Sequence, residues 1–367
     1  MTLIKPLLIF FKSLLFLSFD SLALLNVKSP NSNQLKLILL IRLDAIGDFV
    51  MWLDTAKEYQ KLYPSDKYKI LLVGNKIWCE LAEKLPYWDK VIPVDLKQFK
   101  TFSNYRWDLI REIRTLKAKI AIQPTFSREF YNGDALVRAS GASRKVSSIG
   151  DMSNRNLLKK FLADRWHTEL IPASVEPLTE LERNAEFFSG LTGSKHLTRY
   201  PKIIIPDFWL KPELDKKKYY IIVPGSSGSV AGKEWPPKFF SDLAKKVSRQ
   251  TGWDGLICGA TQEHSLGEKI IKQCDVPLQN YCGQTTLVEL VSLLRQSQLT
   301  ISNDTGTVFL SAAVGTMSIC ILGGGHFGRF VPYPDLPKEA NNLQTVYHKM
   351  PCYGCNWDCI FPVNNGE

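Results

Sequence analysis

No Gly-x-Gly-x-x-Gly follows the first strand-like run of this chain; Asp44-Ala45-Ile46-Gly47-Asp48 stands there instead. A dinucleotide-dependent oxidoreductase is thereby disfavoured, because its pyrophosphate loop needs those glycines. No uninterrupted apolar run reaches the length needed to cross a bilayer, and nothing suggests a repeat array or long disorder. Cysteines form no framework through the body of the chain: Cys79, Cys258, Cys274, Cys282 and Cys320 lie in or beside apolar segments. They read as reduced core residues, as expected of a cytoplasmic protein. Acidic residues are the scarcer charge, 36 Asp and Glu against 46 Lys and Arg, so the net charge is +10. Such a balance implies an anionic partner. No recognition motif or aromatic-basic platform points to nucleic acid, and a phosphorylated substrate or an acidic lipid surface fits better.

What is present is an alternation of short apolar runs with helical periods over 367 residues, 45% of them hydrophobic. That length favours two domains over one. Strands are expected at Leu37–Ile41, Tyr68–Val73, Lys90–Val94 and Lys119–Ile122 in the first half. In the second they are expected at Tyr219–Val223, Gly255–Gly259, Leu299–Ser302 and Met317–Leu322, with helices such as Pro237–Gln250 and Thr286–Gln296 between them. The pattern predicts an α/β fold of two Rossmann-like parallel-sheet domains, 34–205 and 206–350, joined through the polar stretch from Tyr200 to Lys218. A ligand is expected in the cleft between them. A leucine- and phenylalanine-rich extension, 1–33, precedes the first domain, and a Cys-rich tail, 351–367, follows the second. In the extension, Lys5, Lys12, Ser13 and Asp20 fall on one arc of a helical projection. It therefore reads as amphipathic, and Lys12 breaks the apolar region a signal peptide needs. It either lies in the membrane interface, which is the expectation, or packs on the protein's own core.

Two strand-to-helix turns carry the chemistry. The apolar Leu37–Ile41 run leads through Arg42 and Gly47 to Asp48, which sits where open α/β sheets bind ligands, outside the carboxyl ends of the strands; Asp48 is alternatively a plain helix cap. The second turn, Asn303-Asp304-Thr305-Gly306, opens a small-residue helix. Its free N–H groups and partial positive charge suit a phosphate or diphosphate, although Asp and Thr also cap helices for purely structural reasons. In the tail, His348, Cys352, Cys355 and Cys359 have a spacing compatible with zinc, a disulfide or idle thiols. The reading adopted assigns no metal and no cofactor.

Arg42-x-x-x-x-Gly47-Asp48 and Asn303-Asp304-Thr305-Gly306 together resemble the heptosyltransferase family of bacterial lipopolysaccharide synthesis, glycosyltransferase family 9. Pro224-Gly225-Ser226-Ser227 leading to Lys233-Glu234-Trp235-Pro236 is similar to the family's Lys-x-Trp-Pro segment. Gly259-Ala260-Thr261-Gln262-Glu263 and Cys282-Gly283-Gln284-Thr285-Thr286-Leu287-Val288-Glu289-Leu290 match two further segments in order and spacing, and His167 with Glu182–Phe187 matches the end of the family's N-terminal domain. The resemblance covers roughly residues 35 to 335. It implies a GT-B architecture and an inverting, metal-independent transfer of a heptose or related sugar from a nucleotide-sugar donor, ADP-heptose, to a lipopolysaccharide core or related glycan. A phosphorylated glycolipid or glycan acceptor and an anionic membrane surface are the expected partners, and the expected place is cytoplasmic, peripheral on the inner membrane.

Within that reading Asp48 is the general base, and Lys233 sets a point charge on the leaving diphosphate. Ser226 and Ser227 donate to that diphosphate, as do the amides of Thr305 and Gly306. Asp304 binds sugar hydroxyls or orders the loop, and Glu263 resembles the family's ribose-binding carboxylate. The plainer alternatives are a solvated lysine at 233 and a first-turn helix glutamate at 263. Arg42 holds the loop or meets an acceptor phosphate, and Arg128, Arg138, Arg144 and Lys145 are a basic set for that acceptor. Two departures stand out: Phe309 occupies the place of a family His, and the chain ends at Glu367, with little length for a tail helix returning to the first domain and hence less restraint on inter-domain motion. The competing functions are a transferase of the same fold with another donor or acceptor, and a catalytically silent, membrane-docked binding protein.

Overall fold

Short apolar runs bounded by turn residues form strands buried on both faces, which is how parallel sheets bury their hydrophobic residues. The computed structural model describes residues 4–25, 27, 36–204, 217–226, 233–336 and 340–357, with the backbone alone for 4–9. Contacts divide the chain into two compact units: Met1–Ala45 with Thr55–Val175 and Arg183–Leu197, and Ile46–Asp54 with Glu176–Glu182 and Thr198–Glu367. The chain thus passes between units at several points rather than at a single linker. Most of the expected linker, 205–216, lies outside the described residues.

The first unit holds a six-stranded parallel sheet of order β3-β2-β1-β4-β5-β6. Its strands are β1 (Lys36–Arg42), β2 (Tyr68–Asn75), β3 (Lys90–Val94), β4 (Ile120–Gln123), β5 (Arg144–Ser148) and β6 (Glu169–Ile171). The second unit holds β7 (Tyr219–Val223), β8 (Asp254–Ile257), β9 (Leu278–Asn280), β10 (Leu299–Asn303), β11 (Ser318–Ile321) and β12 (Leu343–Val346), in the order β12-β11-β10-β7-β8-β9. Taken from the opposite edge, the second order repeats the first, strand for strand. The eight expected strands are present with ends shifted by a residue or two; β5, β6, β9 and β12 were not expected. Arg-Lys-Val-Ser-Ser, Glu-Leu-Ile, Leu-Gln-Asn and Leu-Gln-Thr-Val carry little apolar signal of their own. Pairing to a neighbouring strand makes them strands, and that is invisible to a local pattern.

The N-terminal helix Ile4–Ala23 packs on the first unit through Ser13, Phe16, Asp20 and Ala23. Asp20 forms a two-pronged ion pair with Arg106, 2.7 Å to Nε and 2.5 Å to Nη2. Arg106 is itself fully buried. Its guanidinium also donates to the carbonyls of Phe99 and Tyr131 and lies over the rings of Phe16 and Phe99. Ser13 Oγ is 2.8 Å from the Tyr131 hydroxyl, and Ala23 enters the core beside Ile41 and Val73. Phe10, Phe11, Leu14, Leu15, Leu22 and Leu25 face outward and are exposed. The expectation that the extension packs on the protein's own core is met for one arc of the helix, and the other arc is exposed. Among the described residues no helix is long and apolar enough to cross a membrane.

Candidate active site

In each sheet the strand order reverses beside the first strand, between β1 and β4 and between β7 and β10. Ligands of open α/β sheets bind at such switch points, outside the carboxyl ends of the strands. In the second unit that position is a cavity of about 750 Å³, within the ~300–1,000 Å³ typical of small-molecule sites. Ser226, Glu263, Thr286, Thr305, Gly306 and Ile46 are among the residues lining it.

Asn303 holds the floor together. Its amide donates to the Pro224 carbonyl at 2.5 Å, and its Oδ1 accepts from the Trp235 backbone at 3.1 Å. The ends of β7 and β10 and the Lys233–Pro236 segment are therefore tied by one buried side chain. The signal in the sequence for this role of Asn303 is its place at the last position of a buried strand.

The helix Gly306–Ala313 starts at Thr305, whose backbone is extended and whose side chain makes no cap. Thr305 Oγ1 lies instead 3.3 Å from Ser302 Oγ. The first amides of this helix therefore have no hydroxyl cap from Thr305, at the end where the macrodipole is positive, and Thr305, Gly306 and Thr307 line the cavity. The start of the helix Ile46–Ala56 packs directly against this turn. A Cβ on Gly306 would come within 3.0 Å of the Gly47 nitrogen and 2.8 Å of Ile46 Cβ. A Cβ on Gly47 would lie 3.0 Å from Phe309 Cδ2. Two glycines far apart in sequence thus let two helix starts meet, and Asp48 stands in the first turn of one of them, partly exposed. Phe309 is buried in this contact and packs towards Phe330 and Tyr333.

Asp304 is buried, which pushes its carboxyl up, and the Lys233 ammonium pulls it back. The Lys233 ammonium lies 5.7 Å from the centre of the Trp357 ring. His326 belongs to the same group: burial, then Arg329 and Lys233, push it down to about 4, so it is neutral at pH 7. Neither His326 nor Trp357 was singled out in the sequence. Trp357 is there because the tail runs along Gly323-Gly324-Gly325, with Gly354 N–H donating to Gly324 at 2.8 Å and Asn356 N–H to Gly325 at 2.7 Å. A side chain at any of the three glycines would strike Tyr353 or Trp357. Among the described residues no three potential metal ligands converge. Cys359 and residues 358–367 lie outside them, and so does Ser227.

Ser226 donates through both its amide and its hydroxyl to Glu234 Oε1, at 3.2 and 3.1 Å. Glu263 caps its own turn by accepting from the Ala260 amide at 2.6 Å, as the plainer reading had it, yet it also lines the cavity. Burial raises its carboxyl and Glu234 adds to the rise. The carboxylate fits only because two neighbours lack side chains: a Cβ on Gly225 would fall 1.6 Å from Glu263 Oε1, and one on Gly259 2.3 Å from Oε2. Gly225→Ala is therefore expected to push Glu263 out of place and weaken nucleoside-diphosphate binding about tenfold or more, roughly the worth of one charge-assisted hydrogen bond. Titration calorimetry with a nucleoside diphosphate checks this, and unchanged affinity would remove Glu263 from the site.

In the first unit Arg42 is buried and holds the loop, 2.7 Å from Asp44 and 2.7 Å from Asn184 Oδ1. The expected basic set is dispersed. Arg128 is buried between Asp134 and Asp164, Arg138 donates to Ser21, and Arg144 pairs with Glu169 across β5 and β6. Burial lowers Lys145. These residues support the first unit rather than form one acceptor surface.

Two parallel sheets with a cavity at the switch point of the second place the chain in the α/β, GT-B class of folds. The model of glycosyltransferase family 9 (heptosyltransferase) matches residues 163–356, more than half of the chain. The chain belongs to glycosyltransferase family 9. It is 28% identical over 143 residues to lipooligosaccharide heptosyltransferase 2 of Campylobacter jejuni, covering 38% of this chain and 42% of that protein. It thus spans about two fifths of that relative's length. It is 27% identical over 328 residues to the lipopolysaccharide core heptosyltransferase OpsX of Haemophilus influenzae, covering 86% of this chain and 85% of that protein. In fold it is similar to E. coli heptosyltransferase WaaC with ADP-2-deoxy-2-fluoro heptose, at a TM-score of 0.62 and 16% identity, with 88% of this chain and 95% of that one covered.

Proposed function

We propose that this chain is an inverting, metal-independent glycosyltransferase that moves a heptose from ADP-heptose to a lipopolysaccharide core or related phosphorylated glycan. The observation that supports the proposal is the meeting of the two helix starts at Gly47 and Gly306, Asp48 being the residue after Gly47. The cavity beside that turn has room for a nucleotide, and WaaC has been solved with a fluorinated ADP-heptose. In the proposed reaction the acceptor hydroxyl gives its proton to the Asp48 carboxylate. Its oxygen bonds to the anomeric carbon on the face opposite the nucleotide, the bond to the diphosphate breaks, and ADP leaves. Lys233 and the amides of Thr305 and Gly306 take up the developing negative charge, the task a metal ion has elsewhere. Ser226 and Ser227 add donors, Asp304 orders the loop or meets the sugar, and Glu263 takes the ribose. The second unit is the donor side and the first the acceptor side. The acceptor is lipid-borne, and the protein works from the cytoplasmic face of the inner membrane, bound to its anionic surface.

Thermal-shift measurements against a panel of nucleotide sugars test the donor, because a ligand that binds the native state raises its melting temperature. ADP-heptose is expected to give the largest shift. A larger shift with a uridine or guanosine sugar would overturn the donor assignment.

A further inference from the structure

The N-terminal helix leaves much of its apolar surface uncovered while burying two polar side chains. A helix on the surface of a water-soluble protein buries its apolar stripe and exposes its polar one. Here Ser13 and Asp20 are buried with Phe16 and Ala23 against the first unit, while Phe10, Phe11, Leu14 and Leu15 stand out from it. A second helix, Leu157–Asp164, has Leu157 79% and Phe161 55% exposed. Tyr131 joins the two: the Lys12 ammonium is 5.8 Å and the Lys159 ammonium 4.6 Å from its ring centre, and its ring packs on Phe16.

We propose that the outward faces of these two helices form one docking surface for an anionic lipid bilayer. The apolar side chains enter the boundary between headgroups and acyl chains, and the cations at the rim meet the headgroups. Those cations are Lys12, Lys159 and Arg165, the last lying over the exposed Phe161 ring. The nearby carboxylates are already engaged, Asp164 by Arg128 and Lys160, Glu129 by Lys100, and Asp20 by Arg106. A second copy of the chain on this surface would bring like charges together, because a two-fold contact sets the same patch against itself. The proposal gives the lipid-borne acceptor reading its contact surface and rests on that reading for its purpose. Its test uses neither donor nor acceptor, so the two fail separately.

Flotation of the full-length chain with vesicles is the experiment, using phosphatidylcholine alone and phosphatidylcholine mixed with phosphatidylglycerol. Binding is expected to the mixed vesicles and to be weaker to the neutral ones. Leu15→Glu and Phe161→Glu, at exposed positions, are each expected to weaken binding about tenfold or more with the melting temperature in detergent-free buffer unchanged. Lys12→Glu combined with Lys159→Glu is expected to remove the preference for anionic vesicles, a change of about tenfold or more. Failure of the full chain to float with mixed vesicles would overturn the proposal. So would wild-type binding by Phe161→Glu, or a dimer that Leu15→Glu dissociates without any vesicle binding by the parent.

Discussion

Asp48→Asn is expected to leave folding and donor affinity near wild type and to cut transfer by about 10²- to 10⁴-fold, the usual worth of a positioned general base. Asparagine keeps the size and hydrogen-bonding reach of the side chain but cannot take the acceptor's proton. The loss should therefore appear in kcat, with the donor KM little changed. The competing role makes a different forecast. Asp48 lies in the first turn of its helix, where a carboxylate stabilises the macrodipole by about 0.3–1 kcal/mol. If that were its whole task, Asp48→Asn would lower the melting temperature slightly and spare turnover. Single-turnover kinetics beside thermal melts separates the two, and near-wild-type turnover would reduce Asp48 to a helix cap.

Strands such as Leu37–Ile41 and Tyr219–Val223 were legible because a strand covered on both faces must be apolar throughout, a local property of the chain. The four short strands at β5, β6, β9 and β12 were not legible, since neighbouring backbone rather than their own side chains makes them extended. The motifs were legible as motifs, and their resemblance to a family named the roles. Their assembly was not. That Gly47 and Gly306 pack together is a tertiary fact, as is the space that Gly225 and Gly259 leave for Glu263. The orientation of the N-terminal helix shows the limit most sharply. A helical projection places Ser13 and Asp20 on one arc but cannot say that Arg106 and Tyr131 wait to receive it.

Lys233→Ala is expected to weaken ADP-heptose and free nucleoside diphosphate alike. A hydrogen bond to a charged group is worth about 1.5–3 kcal/mol, so the loss is about ten- to a hundredfold in affinity. Adenosine, which has no phosphate, should bind as before. A second readout concerns Asp304. Burial raises its carboxyl above the unfolded value, so the native state holds the proton more readily and stability falls as pH rises through that range. Lys233 opposes the rise. Removing the ammonium lets the carboxyl rise further, so the melting-temperature deficit of Lys233→Ala should grow as pH rises above the ordinary carboxylate range. Lys233→Arg should restore much of the stability, because the charge returns. A solvated lysine would show neither effect: unchanged diphosphate affinity together with a pH-independent melting difference would take Lys233 out of the site.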